Sequence, residues 1–557
     1  MTMSKPPNVA IIGAGLAGLR CADILIQNGA QVTIFEARNR VGGRVHQSKV
    51  GDHLVDMGPN WIHGAGKNPI LDIANATETA VHDFEGGQLV LTSDGDVMDD
   101  RVAEKISDIL WTIIQEAFNY SNTHQDDIPA EKSLLDFICE RLEKVGLSAE
   151  EKKLVIDSSR LWGAYVGDPV DKQSLKFFNL EEAIDGTNYF VASTYKDILK
   201  QVSSTALQHA DIHLNQPITK IDSRPDTQGT SNRHKVTLTT ESDESYTFDE
   251  VVVTCPLGWL KRNKSAFTPK LPPRLSSAID NISYGRLEKV YITFPEAFWH
   301  SATGNPVSLP TLTGTAPSQP TTNGANGHTN NLNFAHFLNP SYHEDHPADI
   351  PWDQECFSLA SFQGKTAHPT LLFYTYGPCA SYIVDKLTSL SPTNPQTNTN
   401  TTTTTTPNIE AHPPSTPSYN FLTTLFHPFY SLLPNYTPTS PSCTPLSILA
   451  TRWQSDPYAG NGSYANFQTG LQEGDKDIEA LRAGMGIERS VWFAGEHTAP
   501  FVALGTTTGA LWSGERVARG VCEVVGLGCV GVERVGRDDS LPSACACRRG
   551  GVENEVK

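Results

Sequence analysis

Apolar and polar positions sort this chain into short buried strands, amphipathic helices and stretches with little apolar content. The start carries the densest pattern. Val9-Ala10-Ile11-Ile12 is an unbroken apolar run of the kind found in parallel strands covered on both faces. Gly13-Ala14-Gly15-Leu16-Ala17-Gly18 follows, and Leu19, Ala22, Leu25 and Ile26 then recur at helical spacing. Gly29 stands where a helix ends in a left-handed residue. Gln31 to Phe35 predicts a second strand with Glu36 at its end, which completes a strand–helix–strand unit.

Two later sections repeat the strand signal. Between His213 and Cys255, Leu214, Ile218 and Ile221 are spaced among polar residues, Val236 to Thr240 predicts a strand, and Val251 to Cys255 a buried one. From Ser490 to Val521 the pattern predicts a strand (Val491-Trp492-Phe493-Ala494), a loop and a helix from about Thr508. Residues 100–200 are mostly helical, with the 3.6-residue period clearest over Ala103–Ala117 and Ser133–Leu142. Leu422, Leu425, Phe426 and Phe429 share one helical face, which Pro428 is expected to kink or end.

Elsewhere the apolar signal fades. Residues 297–343 and 387–408 contain no Asp, Glu, Lys or Arg, and Thr401 to Thr406 is an unbroken threonine run. Their polar cores offer too little apolar surface to offset chain entropy, so disordered insertions are expected near 301–331 and 387–416. A disordered tail is expected over 526–557.

Composition narrows the class. The 557 residues are 38% hydrophobic and 19% charged, with 43 Gly and 36 Pro, which excludes a wholly disordered, collagenous or membrane-spanning chain. No apolar run reaches the ~18–20 residues needed to cross a bilayer. The net charge of −19 lacks a basic nucleic-acid footprint, so neither nucleic acid nor membrane is expected as a partner. The ten Cys form no CxxC pair and read as reduced thiols, and Met1 to Asn8 is too short and polar for a secretory leader. An intracellular, cytoplasmic location is therefore expected, where the sequons at Asn75 and Asn281 carry no meaning. Walker A, HExxH and G-x-S-x-G patterns are absent. His343-Glu344-Asp345-His346 has a spacing that fits no common metal site and reads as solvated, so no metal centre is expected.

Gly13, Gly15 and Gly18 alone are equally a glycine-rich turn with no ligand. Here a strand precedes them, a helix follows, and Glu36 lies eighteen residues past the last glycine. In that context the glycines permit a tight turn and close backbone approach, and the helix N-terminus faces a pyrophosphate. Glu36 would accept hydrogen bonds from an adenosine ribose. Gly42-Gly43-Arg44 then places a guanidinium where it could meet the dinucleotide's phosphates.

With these two signatures the sequence resembles the flavin-containing amine oxidases, the monoamine and polyamine oxidase type. The resemblance covers most of residues 8–525 outside the charge-free insertions. It rests also on Asp56-Met57-Gly58-Pro59-Asn60-Trp61-Ile62-His63-Gly64, Val253-Thr254-Cys255-Pro256-Leu257-Gly258, Arg452-Trp453-x-x-Asp456-Pro457 with Gly462-Ser463-Tyr464, and Phe493-Ala494-Gly495-Glu496-His497-Thr498, in the family's order.

The resemblance implies an α/β fold. A Rossmann-like FAD-binding domain is expected from 1–80, 205–286 and 450–525, and a discontinuous α+β substrate domain from 81–204 and 287–449. It implies FAD, held without a covalent bond, on Gly13, Gly15, Gly18, Glu36 and Arg44, with the Ile218 backbone at the adenine and Glu496 at the ribityl chain. Lys289, in Gly285-Arg286-Leu287-Glu288-Lys289-Val290, matches the family's lysine near flavin N5; His63 and Tyr464 match substrate-facing positions. Each has a plainer reading: a strand-end cap for Glu496, a solvated charge for Lys289, a core histidine for His63, core packing for Tyr464.

Two departures bear on the substrate. Thr506 stands where many family members carry Tyr, and Leu287 where some polyamine oxidases do, so an incomplete aromatic cage is expected. Glu181, Glu182 and Asp185 could meet a polyamine's distal charge, although a carboxylate cluster on a surface turn is the reading preferred. The implied reaction is oxidation of a small polyamine or monoamine by O2, with H2O2 released. A chromatin demethylase is not expected, since no helical module precedes Val9. A catalytically silent FAD-binding protein, or an FAD oxidoreductase acting on a non-amine, is the alternative.

Overall fold

The computed structural model of the chain describes residues 5–84, 87–225, 235–300, 332–341, 347, 350, 352–390 and 412–528. The insertion expected at 301–331, the His343–His346 group and residues 529–557 of the tail lie outside them.

The apolar runs of the first and last sections assemble into a parallel sheet ordered Val491–Phe493, Glu250–Val253, Asn8–Ile12, Gln31–Phe35, Asp211–His213. Successive side chains serve opposite faces. Val9 and Ile11 enter a core with the first helix, Leu16–Gln27, and the last, Thr507–Val525. Ala10 and Ile12 enter a second core with the antiparallel strands Ile218–Asp222, Val236–Thr240 and Ser245–Phe248. The two helices touch closely at Gly514, where a Cβ would meet the Ala17 carbonyl oxygen at 2.3 Å.

A second sheet of six strands runs Ser447–Ala450, Glu288–Thr293, Thr370–Thr375, Gln354–Ser358, Leu332–Phe337, Gly87–Leu91, antiparallel except for its last pair. One face packs Val290, Ile292, Phe373, Cys356 and Phe337 against the helices Gly377–Leu390 and Pro417–Tyr430. The opposite face turns toward the parallel-sheet half. The helical section around Asp100–His124 forms a satellite core beside the two sheets.

Two expectations need correction. The insertion expected over 387–416 is narrower among the described residues: 387–390 close the helix Gly377–Leu390, whose apolar face ends in buried Leu387, and Thr416 caps the helix that follows. That helix ends at Tyr430, two residues past Pro428, with Phe426, Phe429 and Tyr430 buried. The domain boundary expected at 80 is crossed by hydrogen-bonded strands, since Trp61–Ile62 and Val81–His82 both pair with Tyr189–Val191, whereas Ser447–Ala450 pairs within the six-stranded sheet and ends at the boundary expected at 450. No described helix is long and apolar enough to cross a membrane.

Candidate active site

A cavity of about 2040 Å³ runs between the two sheets. At the parallel-sheet end its wall is the turn after Ile12. Gly18 must lack a side chain, since a Cβ there would lie 2.1 Å from the Gly13 carbonyl oxygen. At Gly15 a Cβ would meet nothing within 4 Å, so the turn opens on the cavity. The first helix starts there with no side-chain cap, leaving its first-turn amides free to meet an anion. The Gly42–Gly43 turn lies against this loop, with the Gly42 amide donating to the Ala14 carbonyl at 2.8 Å.

Buried Glu36 accepts from the Ala14 and Arg38 amides at 2.8 and 2.9 Å, one bond to each carboxylate oxygen, and still lines the cavity. Arg44 donates from Nη1 to Glu496 Oε1 at 3.1 Å and to the Ser463 carbonyl at 2.5 Å. Gly495, at φ 141°, turns the chain out of the last parallel strand so that Glu496 reaches this pair; its other oxygen accepts from the Ala465 amide at 3.3 Å. Ile218, at the start of its strand, lines the same cavity. The residues expected to hold a dinucleotide thus share one wall.

The other wall is the free face of the six-stranded sheet. Lys289 is buried there, not solvated, and its ammonium donates to the Gly58 carbonyl and to Asn60 Oδ1. Burial holds its pKa below the ordinary lysine range, and the same burial holds nearby Asp56 above the ordinary carboxylate range. Asn60 Oδ1 also accepts from the Tyr374 hydroxyl at 2.8 Å, and the Lys289 nitrogen lies 5.5 Å from the Tyr374 ring centre. His63 lines the cavity half-buried, its imidazole pushed down to about 4 by burial and therefore neutral at pH 7. Tyr464 lines it too, with its hydroxyl donating to the Tyr165 carbonyl.

The acidic trio divides. Glu182 and Asp185 are exposed, as a surface turn requires, yet they line the cavity rim. Glu181 is half-buried, and one of its oxygens accepts from Gln173 and the Phe467 amide. At the two departures, Leu287 lines the cavity and Thr506 caps the last helix, accepting from the Gly509 amide at 2.9 Å.

Sequence reading missed Asn60 as the hydrogen-bond partner of Lys289, although it lies within Asp56–Gly64. It also missed Glu288, whose carboxylate accepts from the Trp453 and Gln454 amides and so seats Trp453 in the wall. Tyr374 and Glu355 were missed because only strand register brings them to the cavity.

The family model described as "Flavin containing amine oxidoreductase" matches residues 16–333 and 431–522. The chain belongs to this family. Polyamine oxidase 5 of Oryza sativa subsp. japonica is 28% identical over 311 residues, 53% of this chain and 60% of that protein. Polyamine oxidase 4 of the same plant is 29% identical over 342 residues, 55% of this chain and 67% of that protein. Lysine-specific histone demethylase 2 of Homo sapiens is 27% identical over 305 residues, 53% of this chain and 35% of that protein. The chain thus spans about three fifths of the first relative's length and two thirds of the second's.

As in its family, the cofactor is FAD. The residues present fit it: an uncapped helix N-terminus and an open glycine turn suit a pyrophosphate, and a buried acid follows the second strand.

Proposed function

We propose that this chain oxidises a small amine, a polyamine or a monoamine, to an imine that water converts to an aldehyde. The parallel-sheet half, of Rossmann type, would hold the dinucleotide: the glycine turn and first helix the pyrophosphate, Glu36 the ribose, Arg44 the phosphates, the Ile218 backbone the adenine and Glu496 the ribityl chain. Bound there, FAD supplies a two-electron acceptor that takes hydride from the carbon beside the amine nitrogen and passes the electrons to O2, giving H2O2.

The chain's own residues set the conditions for that transfer. Lys289, fixed by Gly58 and Asn60 and depressed in pKa by burial, is placed to hold water for imine hydrolysis. Neutral His63 adds no positive charge to repel an approaching amine. Tyr464 and Tyr374 give ring faces to an amine and its carbon chain, which offsets the aromatic positions taken by Thr506 and Leu287. The observation that carries this reading is that Lys289 and the glycine turn line one cavity. The names of the plant relatives support an amine as substrate.

Peroxide release on an amine panel tests it. The FAD-loaded protein should release peroxide with at least one amine, and Lys289→Met should lose on the order of a hundredfold in kcat with FAD still bound. A yellow protein that releases peroxide with no amine would contradict the proposal. It would favour a silent FAD-binding protein or a non-amine oxidoreductase, which non-amine substrates with a flavin-reduction readout would separate.

A further inference from the structure

The six-stranded sheet carries a row of polar side chains on its cavity face. Lys289 stands opposite Tyr374, Tyr374 opposite Glu355, and Glu355 opposite His336. Opposed residues share a face, and neighbouring strands lie about 4.8 Å apart, so Glu355 stands two strands, about 9.6 Å, from Lys289. It lines the cavity and is only 7% exposed.

Unlike the other buried acids of the cavity, Glu36, Glu496 and Glu515, Glu355 accepts no hydrogen bond from the described residues. Glu36, Glu181 and Glu496 each accept from backbone amides. His336 Nε2 lies 3.7 Å from a Glu355 carboxylate oxygen, beyond hydrogen-bonding distance. Burial keeps that imidazole neutral at pH 7, pushing it down to about 4. No Lys or Arg pairs with Glu355 among the described residues. A carboxylate so placed is costly until a cation or donor joins it. Burial alone pushes its carboxyl up to about 8, which records the same deficit. Phe334, Phe357 and Tyr374 line the cavity beside it and offer ring faces that suit an ammonium.

We infer that Glu355 is the specificity-determining residue that receives a second, protonated nitrogen of the substrate while the reacting nitrogen lies toward Lys289. The chain therefore prefers α,ω-diamines and longer polyamines over monoamines of equal length. This rests on the amine oxidase reading.

The test compares butane-1,4-diamine with butylamine, and longer matched pairs, on the FAD-loaded wild type and Glu355→Gln. The wild type should favour the diamine of each pair, with a maximum at one chain length. Glu355→Gln should cut the diamine-to-monoamine ratio of kcat/KM by about tenfold or more, mainly through KM for the diamine. Thermal stabilisation by excess diamine over excess monoamine should shrink in step, a readout independent of turnover. A wild type without diamine preference overturns the inference even if the variant fails to fold. An unchanged ratio in a folded, yellow variant overturns it as well. Peroxide from no amine at all, with FAD bound, overturns the amine oxidase reading first.

Discussion

The two sheets place their chemistry in different ways. In the parallel sheet both faces are packed, and the polar groups sit in the turns beyond the strand ends: the glycine loop, Glu36, Arg44 and Glu496. In the six-stranded sheet one face is packed and the other carries the polar groups, so Lys289, Tyr374 and Glu355 meet side by side within the strands. A turn is a local object whose geometry a few consecutive residues specify. A row across strands is assembled from residues that lie far apart in the chain.

The sharpest way to break that contrast is to fill the turn. In Gly18→Ala the new Cβ would press on the Gly13 carbonyl oxygen, which is backbone and can yield only by moving the loop. The variant should purify without flavin and with thermal stability lowered by about 1–3 kcal/mol. Normal flavin content would show that the loop does not shape the cofactor site.

A smaller effect separates the acids of the two regions. The Glu355 carboxyl titrates near 8 when folded and near its ordinary 4.5 when unfolded, so between those values the folded state holds more protons. Raising pH through that window therefore favours unfolding, with a slope of up to about 1.4 kcal/mol per pH unit. Glu355→Gln has no such proton, and without substrate its stability advantage over wild type should grow from about pH 5 to about pH 8. Urea denaturation across that range measures the difference. Parallel profiles would mean that Glu355 has a partner compensating its charge.

The same contrast explains what could be read from the chain. The strand–helix–strand unit, Gly13 to Gly18, Glu36 and Arg44 were legible because each lies within a few residues of the feature that gives it meaning. Lys289, His63, Tyr464 and Glu496 were found through their flanking blocks, and the structure sets them on one cavity. Tyr374 and Glu355 were not legible: Thr370–Thr375 and Gln354–Ser358 have both faces buried, so no alternation marks which residues face a ligand.

One cavity brings an amine to a bound flavin if this reading holds. Mixing the FAD-loaded protein with butane-1,4-diamine in the absence of oxygen decides the point. The yellow absorbance should bleach, then return on admission of air as peroxide forms. Absorbance that stays unchanged with this and every other amine, in protein that holds its flavin, would contradict the account.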